Sequence, residues 1–154
     1  MNIKIMKNLE QNLYIKNTVS KSQGLEIGEI MNLETNYNKG NSFPKALKEF
    51  LYLAGYNFNG GFDYIEGIEE LQEMAKEELS QVGENIERPF FAFDVYNSQY
   101  SVIFLDEDDE DPKVYLVSPF LAKGGKVPLI KLNGFIFSDL VNESIRRVKN
   151  NIPF

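Results

Sequence analysis

The sequence contains no cysteine and no histidine. Without cysteine the chain has no disulfide, no thiolate nucleophile and no zinc–thiolate or iron–sulfur site. Without histidine it lacks the commonest general base near neutral pH and the commonest ligand of transition metals. Ser-His-Asp and Cys-His catalytic sites are therefore excluded. The sequence predicts a protein that is not an enzyme and that uses no cofactor.

Long apolar runs are also missing. A purely apolar run such as residues 102–105 is far too short to cross a bilayer. Residues 1–16 carry Lys4, Lys7 and Glu10 and lack the continuous apolar stretch of a signal peptide. We therefore expect a cytoplasmic protein that does not enter a membrane.

Basic residues are in the minority. The chain has 16 lysines and arginines against 23 aspartates and glutamates, and its net charge is −7. An acidic surface is repelled by the phosphates of nucleic acids, whereas a basic protein is attracted to it. These charges argue against a nucleic-acid partner and favour a basic protein partner.

The length of 154 residues suits one domain that buries its own core. Apolar residues at helical spacing predict helices over 25–37, 43–54 and 68–82. In the first, Ile27, Ile30, Met31 and Tyr37 are expected to face inward. Residues 1–23 are interpreted as a lead-in segment on the domain edge, and residues 24–154 as the domain.

The second half of the chain changes toward strands. Short runs rich in β-branched and aromatic residues predict strands over 90–96, 100–105, 114–117 and 129–137, with a weaker candidate at 62–65. Ser138 is the expected N-cap of a final helix. This order predicts an α+β domain whose largely antiparallel, mixed sheet is flanked by N-terminal, middle and C-terminal helices.

The most unusual segment is a run of six consecutive carboxylates before Pro112. It lacks the glycine and glutamate that a calcium-binding EF-hand loop requires at its sixth and twelfth positions. A solvated turn, an electrostatic contact with a basic partner and a weak divalent-cation site remain open. The acidic face of the third helix has the same alternatives. The candidate partner-binding residues are Asp106, Glu107, Asp108, Asp109, Glu110, Asp111, Glu69, Glu70 and Glu73.

A hydrolase that uses a pair of carboxylates needs one acid in an apolar pocket, where its pKa is raised. Asp63 and Asp94 are the candidates, because each stands between two apolar residues. A solvent-facing position in a strand explains both more simply.

The segment Phe43-Pro44-Lys45-Ala46-Leu47-Lys48-Glu49-Phe50-Leu51, followed by the Gly60-Gly61 turn, resembles the signature of the SUKH superfamily. This superfamily comprises bacterial toxin-immunity proteins and fungal cell-wall synthesis regulators of the Smi/Knr type. The similar order of elements extends over residues 25–149. The chain differs from the family pattern in having no tryptophan and in having Phe43 where leucine is commoner.

The resemblance implies a mixed sheet surrounded by helices, without catalytic residues. It also implies an immunity protein that binds and neutralises a bacterial toxin, for example a nuclease with a basic groove. The alternative is a regulatory scaffold that recruits endogenous proteins.

Overall fold

A computed structural model describes residues 1–16, 18–64 and 66–154. The helices in these ranges are α1 (Lys7–Gln11), α2 (Ile27–Asn38), α3 (Lys45–Ala54), α4 (Ile68–Gln81), α5 (Pro119–Lys123) and α6 (Phe137–Lys149). The strands are β1 (Phe90–Tyr96), β2 (Gln99–Phe104), β3 (Lys113–Val117) and β4 (Ile130–Ile136). The predicted single α+β domain is confirmed.

The four strands form one antiparallel sheet in the order β1-β2-β3-β4. The β1–β2 hairpin turns at Asn97 and Ser98, whose φ angles are 48° and 57°. Two successive positive φ angles give a turn that matches the right-handed twist of the flanking strands. Each strand of the sheet pairs with the strand that follows it in the sequence.

An aromatic cluster joins the helices to the sheet. Phe137 of α6 packs against Phe50 of α3 and Phe93 of β1, with ring centroids 5.2 and 4.7 Å apart. All three side chains are fully buried. Aromatic rings at these separations stabilise the fold beyond the gain from burying their area.

Residues 1–23 contribute to this core. Ile3, Met6, Leu9 and Ile15 are buried, so their side chains enter the interior and not only the domain edge. The carboxylate of Glu49, which is only 1% exposed, accepts the backbone N–H groups of residues 4, 5 and 6 at 2.8 to 2.9 Å. Helix α3 thus holds the preceding segment by its backbone.

The two edges of the sheet differ. At the β1 edge, Gln72 of α4 donates to the carbonyl of Ala92 at 2.6 Å and accepts the Ala92 N–H at 2.7 Å. At the opposite edge, β3 is the only strand that pairs with β4 in the described ranges. Helix α4 therefore covers one edge and leaves the other open.

Helices α3 and α4 and strands β1 to β4 lie within a few residues of their predicted positions. Three details differ. In α2, Ile27 and Met31 are exposed and not inward as predicted, because the inward stripe follows Ile30, Leu33 and Tyr37. Residues 62–64 form no strand, and Ile65 lies outside the described residues. Helix α5 was not predicted.

The expected N-cap of the last helix is wrong. Ser138 lies inside the first turn of α6, and its N–H is taken by the carboxylate of Asp111 at 3.0 Å. The cap thus comes from a residue distant in sequence.

No helix in the described part of the chain has both the length and the apolar composition needed to span a bilayer.

Candidate functional site

The acidic run, residues 106–111, connects β2 to β3, and both of its ends are tied to the domain. Arg88 donates hydrogen bonds to both carboxylate oxygens of Asp106, the shortest of them at 2.8 and 2.9 Å. The guanidinium also lies 3.9 Å from the centre of the Phe104 ring. The hydrogen bonds from Arg88 lower the pKa of Asp106, and they raise the pKa of Arg88. The first carboxylate of the run is therefore already paired.

The other end of the run lies at the beginnings of two helices. Asp111 accepts hydrogen bonds from the N–H and hydroxyl groups of Ser138 in α6. The carbonyl of Glu110 accepts the N–H of Ala46 in the first turn of α3 at 2.8 Å. Helix N-termini carry unsatisfied N–H groups and a partial positive charge, and both favour acidic neighbours. The closely spaced carboxylates are stabilised here by helix ends.

Three carboxylates of the run stay available. Glu107 accepts the hydroxyl of Tyr115 at 2.8 Å, which raises the pKa of that tyrosine. By contrast, the exposed side chains of Asp108, Asp109 and Glu110 have no hydrogen-bond or ion-pair partner among the described residues. The six-carboxylate run thus divides into three structural acids and three free ones.

The free acids line a cleft at the start of α3, which we call the α3 cleft. Its volume is about 570 Å³. Its other walls include Pro44, Lys45 and Lys48. Because carboxylates and ammonium groups face the same space, the potential in the α3 cleft is of mixed sign.

A second cleft, the α4 cleft, has a volume of about 930 Å³. No lysine or arginine is among its described lining residues. It is lined by four glutamates: Glu29, Glu66, Glu69 and Glu70. Carboxylates around one concave surface reinforce each other and focus a negative potential. Its lining charges are therefore more uniform in sign than those of the α3 cleft.

The local sequence explains how these glutamates meet. Glu29 belongs to a capping box, in which its carboxylate accepts the N–H of Glu26 at 2.8 Å. Glu69 and Glu70 occupy the first turn of α4, where the helix dipole favours acids. Gly67 turns the chain into α4 with φ of 119°, a conformation that strains other residues. The cleft lies between the beginnings of α2 and α4.

Tyr56 gives the α4 cleft an aromatic wall. Its side chain lines the cleft and is 68% exposed. An aromatic face beside carboxylates suits a guanidinium or an ammonium group, which is attracted to both.

The third predicted acid of α4 is occupied elsewhere. Glu73 accepts the hydroxyl of Tyr37 at 2.8 Å, and it is not among the residues that line the α4 cleft. Burial and this carboxylate raise the pKa of Tyr37. The ammonium of Lys76 lies 4.7 Å from the centre of the same ring. Glu73 therefore belongs to a packed contact between α2 and α4.

The predicted site residues are thus not brought into one surface. Residues 107–110 line the α3 cleft, whereas Glu69 and Glu70 line the α4 cleft. The sequence reasoning missed Glu29, Glu66 and Tyr56. The capping-box spacing of Glu26 and Glu29 was a detectable signal for a helix start, but nothing local connected it to Glu69.

The candidate acids for hydrolysis lie apart from both clefts. The carboxylate of Asp94 accepts the N–H of Asp63 at 2.7 Å. Burial raises the pKa of Asp94, and the nearby charge of Asp63 adds to this effect. Neither residue lines the α3 cleft or the α4 cleft. The raised pKa meets one requirement of a catalytic acid, but these two clefts provide no substrate space beside it.

No group of three or more acidic side chains in the described ranges is arranged to hold a metal ion. The chain matches no family model, and no curated protein is significantly similar to it.

Proposed function

We propose that this chain is a non-catalytic binding protein that takes a basic partner into the α4 cleft, and that the partner is a toxin which it neutralises. The observation that carries the proposal is the set of four glutamates around one cleft that has no lysine or arginine among its described lining residues. Complementary charge of this kind accelerates encounter and selects partners of the opposite sign.

The chemistry of the α4 cleft suits an arginine or lysine side chain. A guanidinium forms paired hydrogen bonds with carboxylates and stacks on aromatic rings. Glu66, Glu69 and Glu70 provide the first kind of contact, and the exposed ring of Tyr56 provides the second. A volume of about 930 Å³ holds more than one such side chain.

Binding to the substrate groove of the toxin would be enough to neutralise it. A toxin that acts on nucleic acid needs a basic groove for the phosphates, and an acidic protein bound in that groove excludes the substrate. The toxin as partner rests on the resemblance of residues 43–61 to the SUKH signature. The basic chemistry of the partner rests on the cleft itself.

The α3 cleft favours a second candidate function, a regulatory scaffold. Lys45 and Lys48 line it together with Asp108 and Asp109, so a strongly basic partner gains little from this surface. A partner of mixed charge suits it better. Such a protein recruits endogenous partners and has no toxin to neutralise.

The test is co-purification with the product of the neighbouring gene, followed by association kinetics at low and high salt. The variant E66Q/E69Q/E70Q removes three charges from the α4 cleft. We expect association to slow by about tenfold and to lose most of its salt dependence.

The matched control is E77Q/E84Q/E87Q, which removes three exposed charges that line neither cleft. Equal slowing in both variants would show that net charge, and not the cleft, guides binding. A complex unaffected by E66Q/E69Q/E70Q but weakened by D108N/D109N would favour the scaffold. Absence of any complex would count against toxin neutralisation.

A further inference from the structure

Strand β4 exposes large apolar side chains at the open edge of the sheet. The exposed fraction ranges from 37% for Ile130 to 52% for Leu132, and Phe135 and Ile136 fall between these values. The register places Ile130 opposite Val117 and Leu132 opposite Tyr115. Residues that are directly opposite share a face of the sheet, so Ile130 and Leu132 extend one apolar face to the edge.

The outer backbone of β4 is not covered. Among the described residues no other strand than β3 pairs with it, and no side chain hydrogen-bonds to residues 130–136. The β1 edge is different, because Gln72 satisfies Ala92 there. An uncovered strand edge presents unpaired N–H and C=O groups that an extended chain can complete.

The charge of this region is opposite to that of the whole chain. The net charge of the chain is −7, but residues 112–138 contain no aspartate or glutamate. They contain four lysines: Lys113, Lys123, Lys126 and Lys131. Lys131 lies within β4 itself, opposite Leu116. Two exposed apolar residues of α5, Phe120 and Leu121, belong to the same segment.

We propose that β4 binds an extended acidic segment of another protein, which joins the sheet as a fifth strand. Its carboxylates would alternate with apolar residues, since alternate positions in a strand point to opposite faces. The apolar side chains would then lie beside Ile130 and Leu132, and the carboxylates beside Lys131. The surface and the partner chemistry are independent of the α4 cleft and its basic partner.

Charge complementarity selects this occupant over the others. A second copy docked edge to edge would bring the same lysine-bearing segment against itself, which like-charge repulsion opposes. An anionic lipid surface would attract the lysines, but it offers no strand to satisfy the backbone. Lysine at a strand edge also protects against aggregation, and that role alone would require no binding at all.

The test uses a fluorescent seven-residue peptide that alternates valine and glutamate, titrated with the whole chain and followed by anisotropy. There are two control peptides. One alternates valine and lysine, and the other has the sequence of the first peptide with N-methyl groups on alternate backbone nitrogens. We expect the valine–glutamate peptide to bind at least about tenfold more tightly than either control.

Two protein variants complete the design. K131E should weaken the valine–glutamate peptide by about tenfold and favour the valine–lysine peptide instead. K7E changes an exposed lysine of α1 that has no hydrogen-bond or ion-pair partner in the described chain, and it should leave both affinities unchanged. Hydrogen exchange should slow at residues 130–136 when the first peptide is bound.

Other outcomes overturn the proposal. Binding of none of the peptides would assign the edge a protective role only, and equal binding of all three would show that the contact is unspecific. A dimer seen by sedimentation that K131E abolishes would assign it to a second copy. Vesicles of phosphatidylserine that bind the chain through Lys131, without peptide binding, would assign it to lipid.

Discussion

The side-chain amide of Gln72 hydrogen-bonds to both backbone polar groups of Ala92 and so takes the place of a neighbouring strand. Gln72 is buried, and its nitrogen also donates to the carbonyl of Ile68 at 2.9 Å. A strand edge that is buried must have its N–H and C=O groups paired, because an unpaired buried group is costly.

The first prediction concerns this contact. Gln72→Leu keeps the approximate volume of the side chain but leaves the N–H and C=O of Ala92 without partners. We expect the free energy of unfolding to fall by about 3 kcal/mol, as measured by urea denaturation. Gln81→Leu, at the exposed end of the same helix, should cause little change. Similar values for both variants would show that α4 satisfies the edge without Gln72.

The second prediction concerns Glu49. Glu49→Gln replaces one carboxylate oxygen by an NH₂ group, which donates and cannot accept, so the remaining oxygen cannot accept all three N–H groups of residues 4–6. We expect a loss of about 3 kcal/mol in the free energy of unfolding, together with faster hydrogen exchange at these amides. Glu10→Gln, an exposed residue of α1, is the control. A loss below about 0.5 kcal/mol would contradict a structural role for this carboxylate.

The third prediction concerns pH and Asp94. Its pKa is raised from the ordinary value of 3.8 by burial. The folded chain therefore holds this proton more tightly than the unfolded chain, and stability falls as the pH rises from 3.8 through the folded pKa. Asp94→Asn removes the charge and keeps an oxygen that accepts the N–H of Asp63.

We expect Asp94→Asn to be more stable than the parent chain at neutral pH, and the difference to vanish as the pH falls toward 3.8. Urea denaturation across this pH range measures it. A difference that is independent of pH would mean that packing, and not ionisation, separates the two proteins.

The fourth prediction separates the two groups of carboxylates in the acidic run. Asp111→Ala removes the acceptor for Ser138 and should lower the free energy of unfolding by about 1 kcal/mol. D108N/D109N removes two free charges and should leave stability unchanged or slightly improved, because it reduces repulsion. Thermal unfolding of both variants checks this. A larger loss for D108N/D109N than for Asp111→Ala would reverse the assignment.

Sequence periodicity was sufficient for the elements whose burial repeats regularly. In α3 the inward positions Leu47, Phe50, Leu51 and Ala54 are all fully buried, as their spacing predicts. In α2 the spacing predicts Ile27 and Met31 as inward positions, but both are exposed and Leu33 is buried. All three are apolar, so only the tertiary contacts distinguish them.

The missed features all depend on partners that are distant in sequence. Ser138 has the chemistry of an N-cap, but Asp111 occupies that role from 27 positions away. From the sequence alone Glu49 is expected to be an exposed charge, because its three backbone donors lie more than 40 positions away. The α4 cleft combines Glu29 with Glu66, Glu69 and Glu70 from another part of the chain. Local composition identified acidic segments, but it did not show which carboxylates share a concave surface.

The contacts of α1 have a consequence for synthesis on the ribosome. Asn8 donates to Asn142, and Lys149 donates to Asn12, so α1 rests on α6, which is translated later. Until residue 149 has emerged, Leu9 and its neighbours lack part of their packing surface. The domain is therefore expected to complete its fold after translation has passed α6, and a nascent chain stalled earlier would expose apolar residues to chaperones.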